Sequence, residues 1–71
     1  MKRNDLARLI AAAARERGVR WEFIREGGDH EIWALGGQRV AIPRHREVDE
    51  LTSVGILKKL EPWFGKRWWR R

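Results

Sequence analysis

Two histidines are the only side chains of this 71-residue chain that exchange protons near neutral pH without help from their surroundings. One of them, His30, closes the run Gly27-Gly28-Asp29-His30. Its imidazole can take or give a proton, and the two glycines carry no side chain to hold a bulky anion away from the backbone. The pairing points to phosphodiester handling, and to RNA in particular. RNA carries its own nucleophile, the 2′-hydroxyl, so its cleavage needs only proton transfer and stabilised phosphate charge. His30 is the candidate general acid/base. Gly28, Arg39, Arg44 and His45 are the candidate RNA contacts, the two arginines for phosphate charge and His45 as a second proton-transfer group or phosphate contact. The plainer alternatives are a surface or strand-end role for His30 and a loop role for His45.

Other chemistries find little support. There is no cysteine, so disulfides, thiolate nucleophiles and thiolate metal sites are excluded. Ser53 is the one serine, and no nucleophile–base–orienter set can be assembled around it. His30, His45, Asp29 and Glu31 have no recognised metal-ligand spacing, and the glycine doublets form neither a Walker nor a dinucleotide pattern. No metal and no cofactor are expected. Asp29 neighbours His30 in sequence, and adjacent strand residues point to opposite faces, so it is not read as a dyad partner.

Length allows one domain with a thin core. Residues 1–61 carry twelve Lys/Arg against ten Asp/Glu, a net +2, whereas residues 62–71 add four cations and no acid. The chain as a whole, at +6, favours polyanions. The longest apolar run, Leu9 to Ala14, is far too short to span a bilayer, no targeting segment is evident, and the missing cysteines fit a reducing cytoplasm.

The elements that must position His30 follow from pattern. Asn4 caps a helix over about 5–17, with Leu6, Leu9, Ile10 and Ala13 at helical spacing and Gly18 at its end. A strand over about 19–25 alternates Val19, Trp21 and Phe23 with Arg20, Glu22 and Arg25, and Ile24 breaks the alternation. Strands over 30–35 and 38–42 flank the hairpin doublet Gly36-Gly37, and Pro43 ends the last. Thr52 or Ser53 caps a second helix to about residue 60, with Val54, Leu57 and Leu60 inward, Ile56 flanking and Pro62 as its stop. The expected fold is α+β, an α-β-β-β-α two-layer sandwich with a three-stranded antiparallel sheet and both helices on one face. The expected division is a domain over 1–61 and a basic aromatic tail over 62–71.

GGDH after the first strand and IPRH after the third, in that element order, resemble the HicA family, the toxins of HicA–HicB toxin–antitoxin pairs. The matching pieces are the helix ending at Gly18, GGDHEIW, VAIPRH over Val40–His45, and ILKKL over Ile56–Leu60, together covering about residues 5–60. The family's commonest form has serine where Asp29 stands, its second helix opens with Gly-Thr where this chain reads ELTSVG, and the tail from Pro62 has no counterpart. The resemblance implies a fold similar to a double-stranded-RNA-binding domain and metal-independent cleavage of mRNA by the histidine at position 30. It also implies a HicB-like antitoxin partner that blocks the site.

Five tryptophans need separate readings. Trp21 and Trp33 are read as sheet packing, with base stacking as the alternative. Trp63, Phe64, Trp68 and Trp69 among four cations are read first as packing or partner docking, homo-oligomerisation included, then as RNA contact, then as a membrane surface segment. Two further functional readings compete with the nuclease. One is a non-catalytic RNA-binding module of the same fold, disfavoured by the acidic start of the second helix. The other is a protein-interaction module.

Overall fold

Leu6, Ile10 and Ala14 recur every four residues, the spacing that lines one helix face, and all three are buried. They lie on α1, Arg3–Arg17, in a computed structural model that describes residues 1–70. The remaining elements are β1 (Trp21–Gly27), β2 (His30–Leu35), β3 (Gln38–Pro43), α2 (Glu50–Lys59) and α3 (Glu61–Phe64). The strands form one antiparallel sheet in the order β1-β2-β3. Their ladder puts Leu35, Val40 and Ile42 on one face, where they join Leu6, Ile10, Leu57, Leu60 and Phe64 in the core. The helices cover that face, giving the expected two-layer α+β order.

Alternation along β1 changes phase at Ile24, where a bulge separates Phe23, opposite Trp33, from Arg25, opposite Ile32. The extra residue keeps Glu22 and Arg25 together on the face away from the helices, despite their odd spacing. On the helix side Trp21 stacks on Trp33 at 4.7 Å between centroids, and Phe23 meets Trp33 edge-on at 5.7 Å. The β2–β3 turn is the two-residue Gly36-Gly37. Gly36 has φ 58° and lies against the Trp63 indole, so a Cβ there would run into the ring.

Several boundaries differ from expectation, each for a tertiary reason. Asn4 is not the cap of α1. That position is held by Lys2, whose side chain makes no capping bond, while the Arg3 N–H donates to the Arg46 carbonyl at 3.0 Å. A loop far along the chain thus satisfies one of the N–H groups that a side-chain cap usually takes. The first strand starts at Trp21 rather than 19, because the Val19 N–H still donates to Ala14 at the helix end. Pro43 belongs to β3 as its last residue.

The second helix begins earlier than Thr52 or Ser53 would allow. Asp49 is its cap: one carboxylate oxygen accepts the Thr52 N–H at 3.1 Å and the other accepts the Thr52 hydroxyl at 2.7 Å. Ser53 is buried instead, its hydroxyl donating to the Val48 carbonyl at 3.2 Å. Val54 is only half-buried, and the inward positions are Ser53, Leu57 and Leu60. The Thr52 hydroxyl, then the Thr52 N–H, hold the Asp49 carboxyl below its ordinary value of 3.8. A lowered folded-state value stabilises the fold above pH 3.8, and that contribution disappears as pH falls through the lowered value. The melting-temperature gap between wild type and Asp49→Ala is therefore expected to be constant above about pH 5 and to shrink below about pH 4. Thermal melts across that range check it, and a gap that widens toward acid would contradict it.

Pro62 does not end the helical region. It occupies the first turn of α3, where its missing N–H costs nothing. Within the stretch 62–70 the aromatics Trp63, Phe64, Trp68 and Trp69 pack against the core, the first of the readings given for them. Phe64 is 2% exposed, the Trp63 Nε1 donates to Gln38 Oε1 at 2.8 Å, and the Trp68 Nε1 donates to the Leu57 carbonyl at 2.8 Å. Arg71, the last cation of the tail, lies outside the described residues.

Candidate active site

His30 is the first residue of β2 and is exposed. It pairs with Gly27 on β1 and Pro43 on β3, and shares the helix-free face with Ile32 and Ala34. The space beside it over Gly27 is approached by the side chains of Arg25 and Ile32. Among the described residues no hydrogen bond holds its ring, and none joins it to Asp29.

The end of β3 is stitched to the β1–β2 turn beside this histidine. The Arg44 N–H donates to the Asp29 carbonyl at 2.8 Å, and its guanidinium reaches the Gly28 carbonyl at 3.5 Å and the Glu26 carboxylate at 3.0 Å. These ties form an open hollow of about 280 Å³ lined by Gly28, Asp29, Arg44 and His45. His30 is not part of this lining; it adjoins the hollow through its backbone, following Asp29 in the chain and pairing with Pro43, the residue before Arg44. Gly28 has φ 65°, the left-handed backbone that lets the turn close tightly.

Of the five candidate residues, Gly28, Arg44 and His45 line one hollow, and His30 adjoins it in the chain without lining it. Arg39 does not join them. It lies opposite Ala34, four residues along the ladder from His30 and so about 13 Å away. Arg44 is present but engaged by Glu26. That pair is exposed on both sides, where such contacts are weak and easily exchanged for another anion.

A cation missing from the sequence reading is nearer than Arg39. Arg25 shares the face of His30, and its Nη1 would lie 3.4 Å from a Cβ on Gly27, the residue paired with His30. The signal was the break at Ile24, since a bulge there aims Arg25 toward the turn. Chemically the hollow offers one imidazole, one guanidinium and the open backbone of Gly28, with His30 and Arg25 on the neighbouring ladder positions. Among the described residues no three His, Asp or Glu side chains converge as metal ligands do, and no helix is long and apolar enough to cross a membrane. Comparison with protein-family models, with curated proteins and with solved structures returns no match for the chain.

Proposed function

We propose that this chain is a metal-independent endoribonuclease of the HicA toxin type, cutting mRNA in the cytoplasm and held in check by a HicB-like antitoxin that covers the hollow. The observation that carries the reading is His30, exposed and next in the chain to a hollow lined by Gly28, Asp29, Arg44 and His45. In the proposed reaction the His30 imidazole takes the proton of a ribose 2′-hydroxyl. The 2′-oxygen bonds to the adjacent phosphorus as the bond from phosphorus to the 5′-oxygen breaks. A proton passes to that leaving oxygen from an imidazolium, the role assigned to His45 as the one histidine in the lining of the hollow. The products are a 2′,3′-cyclic phosphate and a free 5′-hydroxyl. Arg44 and Arg25 offset charge on the non-bridging oxygens.

The test is incubation of the purified protein with single-stranded RNA in the presence of a chelator. Cleavage that leaves cyclic-phosphate ends, and that 2′-O-methyl substitution abolishes, is the expected result. Binding without cleavage would favour the non-catalytic RNA-binding module, and neither binding nor cleavage the protein-interaction module.

A further inference from the structure

A second hollow, of about 380 Å³, opens next to the first and is lined by Lys2, Arg3, Asn4, Arg44 and Arg46. Four of its five lining residues are cations, drawn from the start of α1 and the loop after β3. Backbone bonds fix the two segments together: Lys2 forms a β-bridge with Glu47, and the Arg3 N–H donates to the Arg46 carbonyl. Arg44 lines both hollows, so they adjoin at this residue. The positive end of the α1 dipole adds to the same sign.

The acids around this hollow offset only part of its charge. Glu31 is bound by Arg3, Glu26 by Arg44, and Glu47 lies 3.8 Å from the N-terminal amine. Lys2 and Arg46 have no ion-pair partner among the described residues. Arg3 Nε is buried without a hydrogen-bond partner, although the same guanidinium is anchored to Glu31. Like charges held close together are costly unless an anion is drawn between them.

We infer that this hollow binds the phosphodiester backbone of an RNA strand, one or two phosphates beyond the bond next to His30. The Arg44 and Arg46 α-carbons are at most about 7 Å apart, so the two side chains can take neighbouring phosphates of one strand. Arg44 exchanges its surface pairing with Glu26 for phosphate, and Lys2 and Arg46 supply the further charge. The contact is to backbone alone and carries no base preference. The inference rests on the RNA reading above and adds the direction in which the strand leaves the site.

The probe is a short 2′-O-methyl oligoribonucleotide, which lacks the nucleophile and stays intact while its affinity is measured across salt concentrations. Lys2→Gln/Arg46→Gln is compared with wild type and with Lys58→Gln/Lys59→Gln, which removes the same charge from the far end of α2. Losing two phosphate contacts lowers the slope of log affinity on log salt by about 1.4, equivalent to roughly 25-fold at 0.1 M salt for proteins matched at 1 M. That loss in the first variant with an unchanged slope in the second supports the inference. An equal loss in both overturns it in favour of diffuse charge. If wild type cleaves RNA but the first variant keeps its slope, the hollow is overturned and the nuclease reading stands. If the slope falls as expected but RNA is never cut, the hollow stands and the nuclease reading fails. Absence of any binding by wild type overturns both.

Discussion

His30→Ala is expected to slow RNA cleavage by about 10²–10⁴-fold, the usual contribution of a positioned proton-transfer group. The effect is assignable to chemistry because the fold asks little of this side chain. The ring is exposed and makes no hydrogen bond among the described residues, so its removal changes stability by no more than about 0.5 kcal/mol. Cleavage rate and melting temperature are measured on the same preparation. A variant that melts like wild type and still cuts at the wild-type rate removes His30 from the mechanism. His45→Ala is the informative companion, since His45 lines the hollow whereas His30 does not. If His45 supplies the leaving-group proton, its loss is rescued by an RNA whose 5′-oxygen is replaced by a better leaving group, and the loss of His30 is not.

Phe64→Ala is expected to remove about 3–5 kcal/mol of stability, the range for emptying a buried aromatic site. Phe64 belongs to the stretch that sequence alone assigned to a tail, yet it is 2% exposed and packs edge-on against Trp68 at 4.7 Å. Its carbonyl accepts from Arg17 Nη2 at 2.8 Å, tying α3 to the end of α1. In a domain this small such a loss approaches the whole of the usual stability. At about 4–8 °C per kcal/mol the melting temperature should fall by roughly 12 °C or more. Thermal unfolding followed by far-ultraviolet dichroism checks this. A shift under about 4 °C would mean that the aromatic segment adds little to the core.

What could be read from sequence divides along a physical line. β2 runs from His30 to Leu35 as its pattern predicts, because the flanking glycine doublets act locally. The break at Ile24 was visible as a lapse in alternation, and the ladder shows the bulge that causes it. The first turn of α1 was not legible, since its Arg3 N–H is taken by the carbonyl of Arg46, more than forty residues away in the chain. Asp49 was legible in principle, being a favoured capping type three residues before Thr52, but the charged run around it reads as loop. The site divides in the same way. Gly28 and His30 are near in sequence, and Arg44 and His45 arrive through the register of β3. The cationic lining at Lys2 and Arg46 exists only because the loop after β3 folds back on the first helix. Arg39 looked equivalent to Arg44 as a basic residue near the third strand, and only strand geometry separates them.

The bulge at Ile24 also bears on how the molecule behaves in a crowd. β1 is an outer strand, and it leaves Phe23 47% and Ile24 37% exposed, an apolar invitation to edge-on stacking between copies. The interruption spoils the straight run of amide and carbonyl groups that an incoming strand would need, and the charged Arg25 and Glu26 follow at once. A kinked, charge-flanked border of this kind disfavours strand addition from a second copy.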